Sequence, residues 1–191
     1  MEDIIMRKTV VLFTMMLFIF AAYGKSQVNL GFNGIGGKLG FILPEDPIDN
    51  TLGFGAVADL GKISVVNVYG YLDFWSKKYD EGSYWEWSWS VFSIAAIGKY
   101  YFETNSAFKP YAGAGLGFDI SRWKSEYSGP DYGGYLNDLD TSDSELDLAI
   151  HLLGGASYEI SPTLDGFAEV KYTVGGIDYL GIYAGVLYKL K

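Results

Sequence analysis

The sequence predicts an all-β chain whose eight antiparallel strands close, up and down, into a transmembrane β-barrel behind a cleavable leader. Three observations carry that prediction. Apolar residues recur at every second position in segment after segment, which is the period of a strand. Beyond residue 26 no segment is apolar for the roughly 20 residues a membrane helix needs, and none keeps the 3.6-residue period of an amphipathic helix. The face opposite the aliphatic one mixes tyrosine, glycine and charge, an odd surface to show to water.

The leader is residues 1–24. Arg7 and Lys8 precede an apolar run from Thr9 to Ala22, and Ala22-Tyr23-Gly24 places small residues where a signal peptidase reads them. The run is too short for a membrane anchor. Cleavage is expected after Gly24, with Ala22 and Ser26 as alternatives and Met6 as an alternative start. Residues 25–191 then form one barrel domain that keeps the net charge of −9, because the leader holds Glu2 and Asp3 against Arg7 and Lys8. So acidic a chain is a poor partner for nucleic acid. It has no cysteine, hence no disulfide and no thiolate metal site.

The strands are expected at 28–43, 51–61, 63–76, 84–102, 109–124, 146–160, 166–175 and 177–190. In the first, Leu30 and Phe32 lie on even positions but Leu39, Phe41 and Leu43 on odd ones, so a bulge is expected at the intervening Gly34, Gly36 and Gly37. The second sets Leu52, Phe54, Ala56, Ala58 and Leu60 against Gly53, Gly55, Val57 and Asp59. The third sets Val66, Val68, Leu72 and Phe74 against Asn67, Tyr69, Tyr71 and Asp73. The fourth changes phase between Trp85, Trp87, Trp89 and Val91 and the lower set Phe92, Ile94, Ala96 and Tyr100, which predicts a second bulge near Val91-Phe92. In the fifth, Ala112, Ala114, Leu116, Phe118 and Ile120 oppose a row of glycines at 113, 115 and 117. The last three repeat the scheme, with Asp147, His151 and Glu159, then Glu169 and Lys171, then Tyr179, Tyr183 and Lys189 opposite their aliphatic faces.

The orientation follows from the company each face keeps. The aliphatic face suits lipid, and lipid offers unpaired backbone groups no partner, so the sheet must close without an edge. The inside of an eight-stranded barrel is only just wide enough for side chains. The glycine row at 113–117 is therefore expected to make room for rings such as Tyr111 and Tyr183. Trp75, Trp85, Trp87, Trp89 and Trp123 fall near one set of strand ends and Tyr100, Phe102, Phe108 and Tyr188 near the other, as two aromatic girdles would. Short connections at Gly61-Lys62, Glu103 to Ala107 and Ser161 to Asp165 share the end that holds both termini. Pro44 to Asn50, Lys77 to Gly82, Ser125 to Glu145 and Gly175-Gly176 face the other way.

Gly36-Gly37-Lys38-Leu39-Gly40, Gly98-Lys99-Tyr100-Tyr101-Phe102 and Phe108 to Gly117, with the aromatic alternation of the last strand, carry a likeness to a known group. From Val28 to Lys191 the chain resembles the small outer-membrane β-barrel proteins of Gram-negative bacteria, the group of outer membrane proteins A, X and W and the porin-like barrel-domain family. The resemblance implies residence in the outer membrane, contact with its lipid and lipopolysaccharide, and insertion by the barrel-assembly machinery as a monomer. Many such barrels end in phenylalanine; this chain ends Tyr188-Lys189-Leu190-Lys191.

The charged inward positions are Lys38, Asp59, Asp73, Lys99, Asp119, Asp147, His151, Glu159, Glu169, Lys171 and Lys189. Both signs are present, and in a barrel filled by its side chains they are expected to pair structurally in place of forming an ion path. His151 is the single histidine. It invites comparison with lipid A acyl hydrolases, but Ser157 is six residues away on the same strand, about 20 Å, beyond the reach of a nucleophile and its base. The longest loop carries Asp131, Asp138, Asp140, Asp143 and Glu145 and reads as a solvated acidic loop facing outward; it lacks the glycine turn of a calcium-binding helix-loop-helix. No cofactor, metal site or catalytic residue is expected. The function expected is non-enzymatic: envelope integrity or surface contact through the loops. A narrow transport or ligand-binding barrel for a small or apolar molecule is the alternative, and a lipid A acyl hydrolase the third.

Overall fold

The computed structural model describes residues 28–81, 85–127 and 141–190. The chain forms eight strands: β1 (Val28–Pro44), β2 (Thr51–Ile63), β3 (Val66–Glu81), β4 (Trp85–Tyr101), β5 (Phe108–Tyr127), β6 (Thr141–Ser161), β7 (Leu164–Val174) and β8 (Tyr179–Lys189). Each pairs antiparallel with the next, and β8 pairs with β1 from Gly34↔Lys189 to Pro44↔Tyr179. The sheet is thus a closed up-and-down barrel. The expected leader, and Asp131, Asp138 and Asp140, lie outside the described residues.

The two faces sort as the alternation predicts. Leu39, Leu52, Phe54, Leu148, Leu152, Val170 and Ile182 all stand exposed on the outer wall, in a belt that a water-soluble surface would not carry. Inside, Tyr71, Tyr179 and Tyr183 are buried. The interior is layered. One apolar cluster joins Val57, Tyr69, Ala95, Ile97, Tyr111, Leu153 and Leu187 toward the end that holds the tight turns. Another joins Ile42, Trp75, Val91, Tyr179 and Tyr183 toward the loop end, where Ile48 and Ile177 fold in from two connections to cap it. Those two connections are tied together, Glu45 N–H donating to Asp178 O at 2.9 Å.

Several expectations are corrected. The phase change in β1 falls before the glycines: Leu30 pairs with Gly61 and Gly34 with Asp59, so four steps on β1 oppose two on β2, while Gly34, Gly36 and Gly37 sit in regular register. The bulge near Val91-Phe92 does not exist. β4 keeps one register with β3 and with β5 from Trp85 to Tyr101. From Trp87 to Tyr101 its odd positions therefore face inward, and Trp75, Trp87, Trp89 and Trp123 make no lipid-facing girdle. Trp75 is buried, Trp89 packs against the loop-end cluster, and Trp123 is the direct partner of Trp89 across the β4–β5 ladder. The reason is that the β3–β4 and β5–β6 hairpins continue as paired strands past the apolar belt, so their upper inner face needs aromatic cover. The girdle at the opposite end is present: Tyr100, Phe102, Phe108 and Tyr188 are exposed on the outer wall.

The turns also shift. Gly61 and Lys62 belong to β2, and the β2–β3 turn is Ser64-Val65. Gly61 sits at a register shift with φ of 97°, a conformation that favours glycine. The β6–β7 turn narrows to Pro162-Thr163, and the β7–β8 connection is 175–178 where a two-residue glycine turn was expected. The longest loop loses both ends to strand: β5 runs to Tyr127 and β6 starts at Thr141, so Asp143 and Glu145 lie on β6.

The glycine row of β5 has a different purpose from the one expected. A Cβ at Gly113 would lie 2.8 Å from Gly98 O and 3.0 Å from Leu153 Cδ1, and one at Gly115 would lie 2.7 Å from Ile97 Cγ1. The row lets the β4 backbone and aliphatic side chains close in. Space for the Tyr183 ring comes from Gly40 and Gly181, where an added Cβ would meet that ring.

Candidate functional site

Between the two apolar layers lies a polar cluster assembled from four strands. Alternation points Lys38 (β1), Asp73 (β3), Lys99 (β4), Glu169 and Lys171 (both β7) at the axis. Lys38 Nζ is 3.0 Å from Asp73 Oδ1 and 3.2 Å from Glu169 Oε1; Lys99 Nζ is 3.1 Å from Glu169 Oε2; Lys171 Nζ is 2.5 Å from Asp73 Oδ2. Tyr71 and Tyr111 each donate a hydroxyl to Glu169 Oε2 at 2.9 Å. Three ammonium groups face two carboxylates. Rings take up part of the excess: Lys38 Nζ lies 4.0 Å from the centre of Tyr71 and 4.1 Å from that of Tyr183, and Lys99 Nζ lies 4.1 Å from that of Tyr111. All five charged residues are sealed from solvent. Buried charges persist only when paired and hydrogen-bonded in this manner.

The remaining inward positions separate into distinct settings. Asp73, Ser93, Asp119 and Asp147 form one inward rung, each the direct partner of the next. Ser93 Oγ and both oxygens of Asp119 are buried without a hydrogen-bond partner among the described residues. His151 is fully buried, its Nδ1 3.0 Å from Thr173 Oγ1. No carboxylate is hydrogen-bonded to its ring among the described residues, and Ser157 does not reach it, so the acid–base–nucleophile arrangement of a hydrolase is not assembled there.

Asp59, Glu159 and Lys189 lie toward the turn end, apart from the cluster. Asp59 Oδ1 accepts the N–H of Gly61 at 2.8 Å and holds the β2 irregularity. Glu159 is nearly half exposed at the turn end, 4.0 Å from Lys189 Nζ, which lies closer to Asp165 at 2.7 Å. The inner face is wetter at the rims than at mid-height, so inward phase alone does not bury a charge. The partnership of Tyr71 and Tyr111 with Glu169 was not anticipated; the inward phase of both tyrosines was its only sign in the sequence.

At the loop end the inner wall forms a cleft of about 230 Å³ lined by Trp89, Ser121, Trp123, Asp143, Ser144 and Glu145. Glu145 opposes Ser121 and Asp143 opposes Trp123 in the β5–β6 ladder. Asp143 and Glu145 are thus fixed to a strand wall and not carried by a free loop. Among the described residues no three His, Asp or Glu side chains converge as metal ligands.

No protein-family model matches the chain, and no curated protein matches it by sequence. Solved structures do. Neisserial surface protein A (NspA) is similar over 85% of this chain and 100% of its own, at 21% identity and a TM-score of 0.62. Ail, the attachment invasion locus protein of Yersinia pestis, in complex with the heparin analogue sucrose octasulfate, is similar over 85% of this chain and 100% of its own, at 15% identity and a TM-score of 0.60. At such identities the likeness speaks for the fold. This chain has the closed eight-stranded antiparallel barrel fold of which NspA and Ail are examples.

Proposed function

We propose that the chain is an integral outer-membrane barrel with a sealed interior and no enzymatic activity, contributing to envelope integrity or to surface contact through its loop end. One observation carries the reading. Lys38, Glu169 and Lys171 show no side-chain exposure, because they are ion-paired within one cluster between two apolar layers that block the axis above and below. A barrel filled in this way leaves its loop end and outer wall as the surfaces that meet other molecules. Outer-membrane lipid and lipopolysaccharide are the partners of that wall, the barrel-assembly machinery is its partner during insertion, and residues 1–24 are the export signal. Ail was solved with sucrose octasulfate, but an acidic chain with Asp143 and Glu145 at its mouth does not favour so anionic a ligand.

Planar-bilayer recording of the refolded mature chain tests the reading: a silent bilayer is expected, and clear stepwise conductance overturns it. Incubation with lipopolysaccharide followed by mass spectrometry tests the second half. Intact acyl chains are expected, and acyl loss abolished by His151→Ala overturns the non-enzymatic reading.

A further inference from the structure

We propose that the loop-end cleft lined by Trp89 and Trp123 binds a small organic ammonium ion. The two indoles are direct cross-strand partners on the inner wall of the extended hairpins, where side chains of paired strands stand about 5 Å apart. Asp143 continues that row on β6, and Glu145 continues the next row beside Ser121. An aromatic wall with carboxylates at its edge is the arrangement that holds a cation carrying apolar substituents: the ring faces attract its charge while contacting its methyl or methylene groups, and the carboxylates neutralise it.

The surroundings support a cation over other ligands. Among the described residues no lysine or arginine lines the cleft, so an anion finds no partner there. Its two carboxylates give the lining a net negative charge, which favours a cationic ligand over a neutral sugar. One rung deeper, Asp147 and the buried Asp119 extend the acidic face. A cation at the mouth thus meets carboxylates on this rung as well as at its side, before the lysines of the central cluster are reached. Passage further is blocked by Val91 beside Trp75, whose ring meets that of Tyr179 edge-on at 5.7 Å. The site is therefore a terminus at the mouth and not the start of a channel. It does not depend on the proposed function above, since a sealed barrel and a conducting one can each bind at this position.

The test is calorimetric titration of the mature barrel, refolded in an alkyl maltoside micelle whose headgroup carries no ammonium, with choline and with its neutral carbon isostere 3,3-dimethylbutan-1-ol. Choline is expected to bind saturably and the isostere about tenfold more weakly or not at all. Two variants, Trp123→Leu and the pair Asp143→Asn with Glu145→Gln, are each expected to weaken choline by about tenfold while keeping the gel mobility of a folded barrel. Glycerophosphocholine distinguishes the sources of the ammonium: binding weaker than choline's assigns a free amine, and tighter binding assigns a lipid headgroup, both in support. The proposal is overturned if the wild type shows no saturable choline binding, if the isostere binds equally, or if both folded variants bind choline as the wild type does.

Discussion

Lys171 Nζ lies 2.5 Å from Asp73 Oδ2 at the centre of the barrel, with the two side chains 0% and 1% exposed. Lys38 approaches the other oxygen of the same carboxylate at 3.0 Å. Asp73 thus anchors both lysines, and its loss strands charge in a place water does not reach. Asp73→Ala is expected to cost about 3–5 kcal/mol, as removal of one member of a buried pair does. Replacing Asp73, Lys38 and Lys171 together by leucine and methionine is expected to recover much of that loss. Urea unfolding in lipid vesicles, followed by the gel mobility of the folded form, measures both.

Glu169 accepts from Tyr71 and Tyr111 and pairs with Lys38 and Lys99. Glu169→Gln keeps an acceptor for the two hydroxyls, whereas Glu169→Leu leaves both unpartnered beside two lysines. The leucine variant is expected to be less stable than the glutamine variant by about 1–3 kcal/mol, the cost of orphaned buried donors. Equal midpoints in the same urea series would contradict the hydrogen-bonding role given to the tyrosines.

The orientation of the wall predicts a depth profile. Val170 lies midway along β7 on the outer face, and Tyr188 lies at the turn end opposite Leu164. Val170→Arg is expected to cost about 2–4 kcal/mol and Tyr188→Arg about 0–1 kcal/mol. Equal tolerance at the two depths, read from unfolding midpoints in vesicles, would count against a hydrocarbon belt.

Gly181 makes room for a ring and Gly37 does not. A Cβ at Gly181 would lie 2.8 Å from Tyr183 Cζ, whereas one at Gly37 finds nothing nearer than Gly55 O at 3.9 Å. Gly181→Ala is expected to cost about 1–3 kcal/mol through overpacking, and to cost less in a Tyr183→Leu background. Gly37→Ala is expected to stay within about 0.5 kcal/mol of the parent. Unfolding midpoints of the three variants decide between these outcomes.

The seam between β1 and β8 closes the barrel, and Ile182 on β8 pairs with Phe41 on β1. Ile182→Pro removes a backbone donor from β8, and proline inside a paired strand is not tolerated. The parent is expected to migrate differently in detergent gels when boiled and unboiled, as a closed barrel does, and the variant to lose that difference.

What the sequence determined by itself is which side of the wall each residue faces. Successive side chains on a strand point to opposite faces, so a stripe such as Ala168, Val170, Tyr172 and Val174 against Glu169, Lys171 and Thr173 is legible without coordinates, and with it the number of strands and the need for closure. The same rule misled where a phase change had two explanations. The phase change after Val91 fits either a bulge or an upper wall that faces inward; an unbroken register turns Trp87 and Trp89 inward. Only the tertiary structure decided who meets whom. Glu169 receives Lys38, Tyr71, Lys99 and Tyr111 from four other strands, at separations of 58 to 131 residues. Those meetings depend on the relative slide of every neighbouring pair around a closed ring, where one bulge between Leu30 and Gly34 displaces the pairing on either side of it. The same slide set Trp89 beside Trp123 and Asp143, and left Glu159 at a rim while Glu169 went to the centre. Alternation is local and repeats every two residues, whereas register is a property of the whole ring.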